Sequence, residues 1–431
     1  MNNSIRLLIA LCVYYLSLVY AYQYFMLPVW GEDFLEVRWG LKPSWNIFFI
    51  VNTIIYIIAS IYISRRRSRP SDFIHIIFFA FPIAPMLIIS SFKGQGFLIA
   101  YGAIFALLLS CFVTRLRYVP ISFSSKVNVF DKNNYLIFCT IIGAVIIVLS
   151  VLKGGMSFLN FDFTKVYEYR RAASSSRGVL LNYLILNYIG ILLPLGVAIS
   201  LAMKRYFILL LLLIINMLIA ALTSSKAYFF VSMFTIFIYL VSSNRNRSGY
   251  YFLMVISGIL SFLVTLYMIF PSSEFLGTLF IRRYAFVPAY VNFLYWDFFS
   301  INEYAFWADS SISMGLIDST YGKPTPQVIG DFYSGVDFSL TEQEFNNANT
   351  GLIGSGYGNA GLLGIWFYAL LSGFVLRYCN NFSSFLGYRI SIASIGFYFF
   401  AIFYTSTDLP AAMLSYGMIS YMILYFLWKK D

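Results

Sequence analysis

The chain has 431 residues, 60% apolar and only 11% charged, with 29 Lys and Arg against 18 Asp and Glu, whereas a soluble domain is about 25% charged. That composition excludes a soluble enzyme, a disordered chain and a nucleic-acid binder. The net charge of +11 lies in short clusters between long apolar runs, which makes it a matter of membrane topology rather than of a polyanionic partner.

Lipid offers backbone groups no hydrogen bonds, so an apolar run of about 20 residues between polar clusters predicts a spanning helix. Twelve such runs follow in chain order: 7–27, 46–63, 73–90, 96–113, 135–152, 179–203, 207–222, 228–241, 251–270, 351–376, 390–404 and 411–428. The expectation is an all-α polytopic membrane protein, one integral membrane domain over 1–431. The seventh and eighth runs are short and can form one hairpin around Ser224. Arg6 before the first run and Val19, Tyr20, Ala21 inside it resemble a signal peptide, but the length of the run fits an uncleaved anchor better. Cys12, Cys111, Cys139 and Cys379 fall in apolar runs or interior loops, which leaves no exterior disulfide.

Cytoplasmic loops are enriched in Lys and Arg. With the N-terminus inside, the interior face collects 17 of the 29 basic residues, among them Arg65, Arg66, Arg67 and Arg69, and only Asp72, Asp131 and Asp431 as acids. Both termini are therefore expected inside. Two long connections then lie outside, a basic loop at 153–178 and a large loop at 271–350. Long loops in compact domains are commonly functional.

Exterior cations run against the topological rule. Lys165, Arg170, Arg171 and Arg177 occupy the first loop, and Arg282 and Arg283 stand early in the second. Paired guanidinium forks match phosphate oxygens two at a time, as in a lipid diphosphate head group. The competing reading is snorkelling to lipid phosphates, or pairing with Asp162 and Glu168. Lys226, in the turn Thr223-Ser224-Ser225-Lys226, lies next to hydrocarbon, where a charge is costly unless it lines a wet cavity or snorkels. Asn349, Thr350 and Gly351 enter a glycine-rich helix start, and Gly356, Gly358 and Gly361 imitate a dinucleotide-binding spacing without the preceding strand. Gly354 and Gly358 read better as a close helix contact, with anion binding at the helix N-terminus as the functional alternative.

Tyr284, Tyr290, Tyr295, Trp296, Tyr304, Trp307, Tyr321 and Tyr333 populate the large loop, either as sugar-stacking faces or as an interfacial helix. Its acids are Glu274, Asp297, Glu303, Asp309, Asp318, Asp331, Asp337, Glu342 and Glu344, and spacing alone picks no general base among them. The single histidine, His75, starts the third run on the inside, and no exterior His or Cys supports a metal site.

Three local features, Thr223 to Ala227, Arg282 and Arg283 followed by Pro288 and aromatics, and Asn349-Thr350-Gly351, resemble in their order the Wzy-type polymerases of bacterial surface polysaccharides. Lys226 stands where the turn of that superfamily often carries Arg, and the exterior histidine typical of the related O-antigen ligases is missing. The resemblance implies a C-type glycosyltransferase-like fold in the bacterial inner membrane with a periplasmic active site. It implies transfer of a glycan from undecaprenyl diphosphate to a new lipid-linked repeat unit, without cofactor or metal. Its partners would be the lipid-linked oligosaccharide donor and acceptor, membrane lipids and a chain-length regulator protein. Arg282 and Arg283 would stabilise the departing diphosphate, with Glu344 or Asp331 as the base. Arg170, Arg171, Lys226, Asn349 and Tyr357 would bind substrate. The rivals are a lipid-linked oligosaccharide flippase, a ligase, and an enzyme of polyprenyl-phosphate sugars using the acids Glu32, Asp33 and Glu36.

Overall fold

A computed structural model describes residues 2–31, 46–65, 69–116, 129–159, 166–308, 310, 313, 316–334 and 347–428. Among them the regular elements are helices, with one isolated β-bridge between Phe130 and Trp428. Among the described residues nine helices are long and apolar enough to cross a membrane: α1 Asn3–Trp30, α2 Ile47–Ser64, α3 Pro70–Lys93, α5 Lys132–Leu152, α6 Arg177–Ala202, α7 Tyr206–Thr223, α9 Ser248–Ile269, α12 Leu352–Leu386 and α14 Leu409–Leu427. Three shorter apolar helices, α4 Phe97–Val113, α8 Lys226–Val241 and α13 Tyr388–Phe403, coincide with the fourth, eighth and eleventh apolar runs. The protein is a polytopic helical membrane protein. Outside these, α10 Val287–Phe299 and α11 Thr325–Tyr333 lie within the large predicted loop.

The helices fall into two compact units, one from residues 1–116, 244–377 and 403–410, the other from 117–243, 378–402 and 411–431. In the first, α3 is buried on every side, as an all-round apolar helix must be. Its few polar groups are matched within the unit. At its start Arg69 N–H donates to Asp72 Oδ2 at 2.9 Å and Arg115 Nη2 to Asp72 Oδ1 at 2.5 Å, while His75 Nε2 meets Ser110 Oγ at 3.1 Å. The histidine is a core residue, as its position predicted. Near the other end Asn52 Nδ2 donates to Leu87 O, Ser90 Oγ and Ser91 Oγ, and accepts from Tyr101 through Oδ1. Because lipid is as apolar as leucine, such polar and small groups face in while apolar ones face out. Helix α2 accordingly buries Asn52, Tyr56 and Ser60 and exposes Ile47, Ile50, Ile54 and Ile58.

Among the described residues five π-helical segments interrupt the helices, and four lead into or contain a proline: Tyr22–Met26 before Pro28, Phe79–Ile83 with Pro82, Tyr188–Leu192 before Pro194, and Thr278–Phe286 before Pro288. A proline lacks its N–H and crowds the carbonyl one turn back, and widening the turn relieves both. In the second unit α7 and α8 form a hairpin about Ser224 (φ 49°). Gly143, Gly190 and Gly196 let α5 and α6 approach Tyr188, Tyr416 and Cys139 closely. Arg389 stacks at 3.7 Å on Tyr239, and its Nε donates to the Tyr239 carbonyl at 2.6 Å. All four cysteines are free thiols.

One predicted span is corrected. The run 351–376 does not form one straight helix, because α12 breaks at Ala360 (φ −156°) and Gly361 (φ 61°). Gly356 and Gly364, eight residues apart, pack backbone against backbone, and a Cβ on Gly356 would lie 2.8 Å from Ile365 Cα. Eight residues of continuous helix would separate them by about 12 Å, so the chain doubles back at the break. Glycine at both positions is what permits it.

Candidate functional site

The first unit has two distinct ends along α3. One holds Arg69, Asp72 and Arg115, joined as described. The other holds Lys93, Gly96 at the start of α4, and Trp30 at the end of α1. The π-helical segment and α10 run against this second end. Phe286 packs on Tyr22 at 5.5 Å between ring centroids, a Cβ on Gly96 would lie 2.5 Å from Phe293, and Lys93 pairs with Asp297 at 3.9 Å. Tyr290 and Tyr295 are buried in this packing, and the other six loop aromatics are half-buried. The large predicted loop is therefore partly helical core rather than a free aromatic surface.

Arg282 and Arg283 sit on the π-helical turn at this end. Arg282 is half-buried with its guanidinium 3.9 Å from the centre of the Trp30 ring, and Arg283 is exposed. The turn has a local cause. Val287 N–H reaches back five residues to the Arg282 carbonyl just ahead of Pro288. The ring face beneath it attracts the first guanidinium, and the second is exposed beside it.

A second constellation lies at the helix break. Ala305 N–H donates to the Gly358 carbonyl at 2.9 Å and Phe306 N–H to the Asn359 carbonyl at 3.1 Å. These bonds satisfy carbonyls that the break takes out of the helix. Trp307 N–H donates to Asn359 Oδ1 at 2.9 Å and its indole Nε1 to Tyr368 Oη at 2.7 Å. Phe306 (φ 45°) and Trp307 (φ 61°) are both left-handed, a conformation costing a non-glycine residue roughly 1–2 kcal/mol. Backbone strain of this kind collects at functional sites. Tyr368 donates to Asp408 Oδ1 at 2.6 Å, which also accepts the Leu409 N–H at 2.9 Å. Burial pushes the Asp408 carboxyl above the usual carboxylate range, and these two hydrogen bonds pull it partly back.

The N-terminus of α12 is already capped. Asn292 Oδ1 accepts from Thr350 Oγ1 and from Gly354 N–H, both at 2.8 Å, and its Nδ2 donates to the Pro288 carbonyl at 2.9 Å. One of the N–H groups proposed for an anion thus serves α10. A Cβ on Gly358 would meet Phe299 at 2.8 Å and Tyr295 at 3.0 Å, so the close-contact reading of Gly354 and Gly358 matches the packing.

The structure brings together some of the predicted site residues. Arg282 and Arg283 share one turn. Asn349 is exposed just before α12, whereas Tyr357 is 4% exposed and packs edge-on to Tyr304 at 6.0 Å. Asp331 is buried and ion-paired to Lys323 at 2.6 Å. Glu344 lies outside the described residues, as do Glu32, Asp33 and Glu36. Arg170 and Arg171 fall on the helix Val166–Asn187 and Lys226 begins α8, but their side chains are outside the described set. No group of three metal-ligating side chains occurs among the described residues.

Sequence reading passed over Asp408, Tyr368 and Asn359. One signal was available, since Asp408 is the only acid between Glu344 and Asp431 and stands in the short connection between the last two apolar runs. Comparison with family models, curated proteins and solved structures gives no match.

Proposed function

We propose that the chain polymerises lipid-linked oligosaccharide repeat units. In this reading a growing glycan on undecaprenyl diphosphate is transferred to a new lipid-linked repeat unit on the outer face of the bacterial inner membrane, by a twelve-span protein with both termini inside. The observation that carries it is the Arg282–Arg283 turn, with one guanidinium 3.9 Å over the centre of the Trp30 ring and the next exposed beside it. It stands at the end of α3 opposite the basic Arg69–Arg115 end, where biogenesis disfavours cations. When the anomeric bond breaks, negative charge grows on the diphosphate, and preorganised cations lower the barrier by stabilising it. Arg283 supplies the fork that meets the phosphate, and Arg282 supplies fixed charge behind it.

The test is reconstitution of the full chain in liposomes with undecaprenyl-diphosphate-linked oligosaccharide extracted from the producing cells. A ladder of lengthening glycan is expected, falling about 10²-fold or more in Arg283→Ala. Transbilayer movement of the lipid without any ladder overturns the polymerase in favour of the flippase.

A further inference from the structure

We infer that Asp408 is the general base of the transfer, with its Oδ2 receiving the proton of the acceptor sugar's hydroxyl, and that Tyr368 is the residue positioning it. The inference rests on the polymerase reading.

The two oxygens of this carboxylate differ. Oδ1 is held by Tyr368 Oη at 2.6 Å and Leu409 N–H at 2.9 Å. Oδ2 accepts no hydrogen bond from the described residues, yet Asp408 is only partly covered, so this oxygen is not sealed in. Asp408 also has no cationic partner among the described residues, unlike Asp72, Asp297 and Asp331, each of which faces Arg or Lys. The titratable groups that face it are Tyr368, through the hydrogen bond, and Tyr295 from α10. Neither supplies a positive charge at neutral pH. A carboxylate oriented through one oxygen, open at the other and free of a neutralising cation has the form of a proton acceptor.

The surroundings suit a sugar carried on a lipid. Beside the Trp307–Tyr368–Asp408 chain, Phe306 is 53% exposed, and Leu363 and Phe367, just past the break, are 70% and 49% exposed. Trp307 packs against Phe367 at 6.1 Å. Flat apolar faces next to a carboxylate fit a sugar ring, one face stacked and one hydroxyl bonded. Two consecutive left-handed aromatic residues hold Trp307 where its indole N–H reaches Tyr368, which is the kind of strain a built site retains.

The step balances. Oδ2 takes the acceptor hydroxyl proton, and the freed oxygen pair forms the bond to the donor's anomeric carbon. The bond from that carbon to the diphosphate oxygen breaks with its electron pair on the diphosphate. The proton then leaves Asp408 through water to the released diphosphate.

The assay is the same liposome polymerisation, run from pH 4.5 to 9, together with a thermal-shift measurement of undecaprenyl diphosphate binding. Asp408→Asn is expected to lower the polymerisation rate about 10²–10⁴-fold and to leave undecaprenyl diphosphate binding unchanged. Asp408→Glu restores part of the rate. The base acts ionised, so the wild-type rate rises with pH through an inflection above the usual Asp range. Tyr368→Phe removes a hydrogen bond that favours the ionised form, and therefore moves this inflection to higher pH while the plateau rate stays within a few-fold. A wild-type rate in Asp408→Asn overturns the assignment, as does a Tyr368→Phe variant slowed equally at every pH with its inflection unmoved. Failure of the wild-type chain to make any ladder instead overturns the polymerase itself, and the assignment falls with it.

Discussion

Asn292 shows what one buried amide does in a protein otherwise built from apolar contacts. It is 1% exposed, and its Oδ1 caps Thr350 and Gly354 while its Nδ2 bonds the Pro288 carbonyl and faces Met86 sulfur at 3.6 Å. Asn292→Leu leaves buried donors without acceptors, each costing about 1–3 kcal/mol. The expected outcome is a lowered thermal-unfolding midpoint in detergent, and an unchanged midpoint denies the cap its structural role. The arginine turn makes a different demand. Trp30→Leu keeps an apolar wall but removes the ring face beneath Arg282, which is worth about 0.5–2 kcal/mol. Polymerisation should fall several-fold with the amount of folded membrane protein unchanged, a result read from ladder intensity at equal protein.

At the scale of elements, the deciding feature is the reversal inside α12. A Cβ on Gly356 has no room beside Ile365, whereas a Cβ on Gly258 of α9 meets nothing within 4 Å. Gly356→Leu should therefore prevent the two segments from closing, at a cost of about 1–3 kcal/mol or more, and reduce folded yield in fluorescence-detected size exclusion. Gly258→Ala, in an open and regular helical position, is expected to be neutral or slightly stabilising. Equal behaviour of the two variants contradicts the doubled-back geometry. The π-helical segments belong to the same scale. Pro28, Pro82, Pro194 and Pro288 are plain in the sequence, but the choice of the relaxed turn, and with it the placing of Arg282 and Arg283 side by side at one end of the unit, follows from packing against Tyr22 and Trp30.

For the whole molecule, charge asymmetry makes a statement about sides. Arg283→Cys should react with a membrane-impermeant maleimide added outside intact spheroplasts, and Arg65→Cys only after permeabilisation. Background is low because Cys111, Cys139 and Cys379 are buried and Cys12 is half-buried. The reverse pattern inverts the orientation and removes the arginine turn from the compartment the reaction needs.

The amino-acid sequence by itself determined the class of protein and the positions of the apolar helices, because hydrophobic run length is a local quantity that lipid reads directly. It also singled out Arg282 and Arg283 and the close packing at Gly354 and Gly358. The break in α12 was not legible, since the glycines and the single Asn359 between Gly356 and Gly364 lie in an otherwise apolar window, and such a window cannot tell a straight helix from one folded on itself. Only the tertiary structure decided that Trp307, Asn359, Tyr368 and Asp408, spread over about 100 residues of chain, make one hydrogen-bonded group, and that Asp331 is held by Lys323 while Asp408 meets no cation among the described residues. Pairing of this kind depends on which distant side chains meet, and no periodicity encodes that.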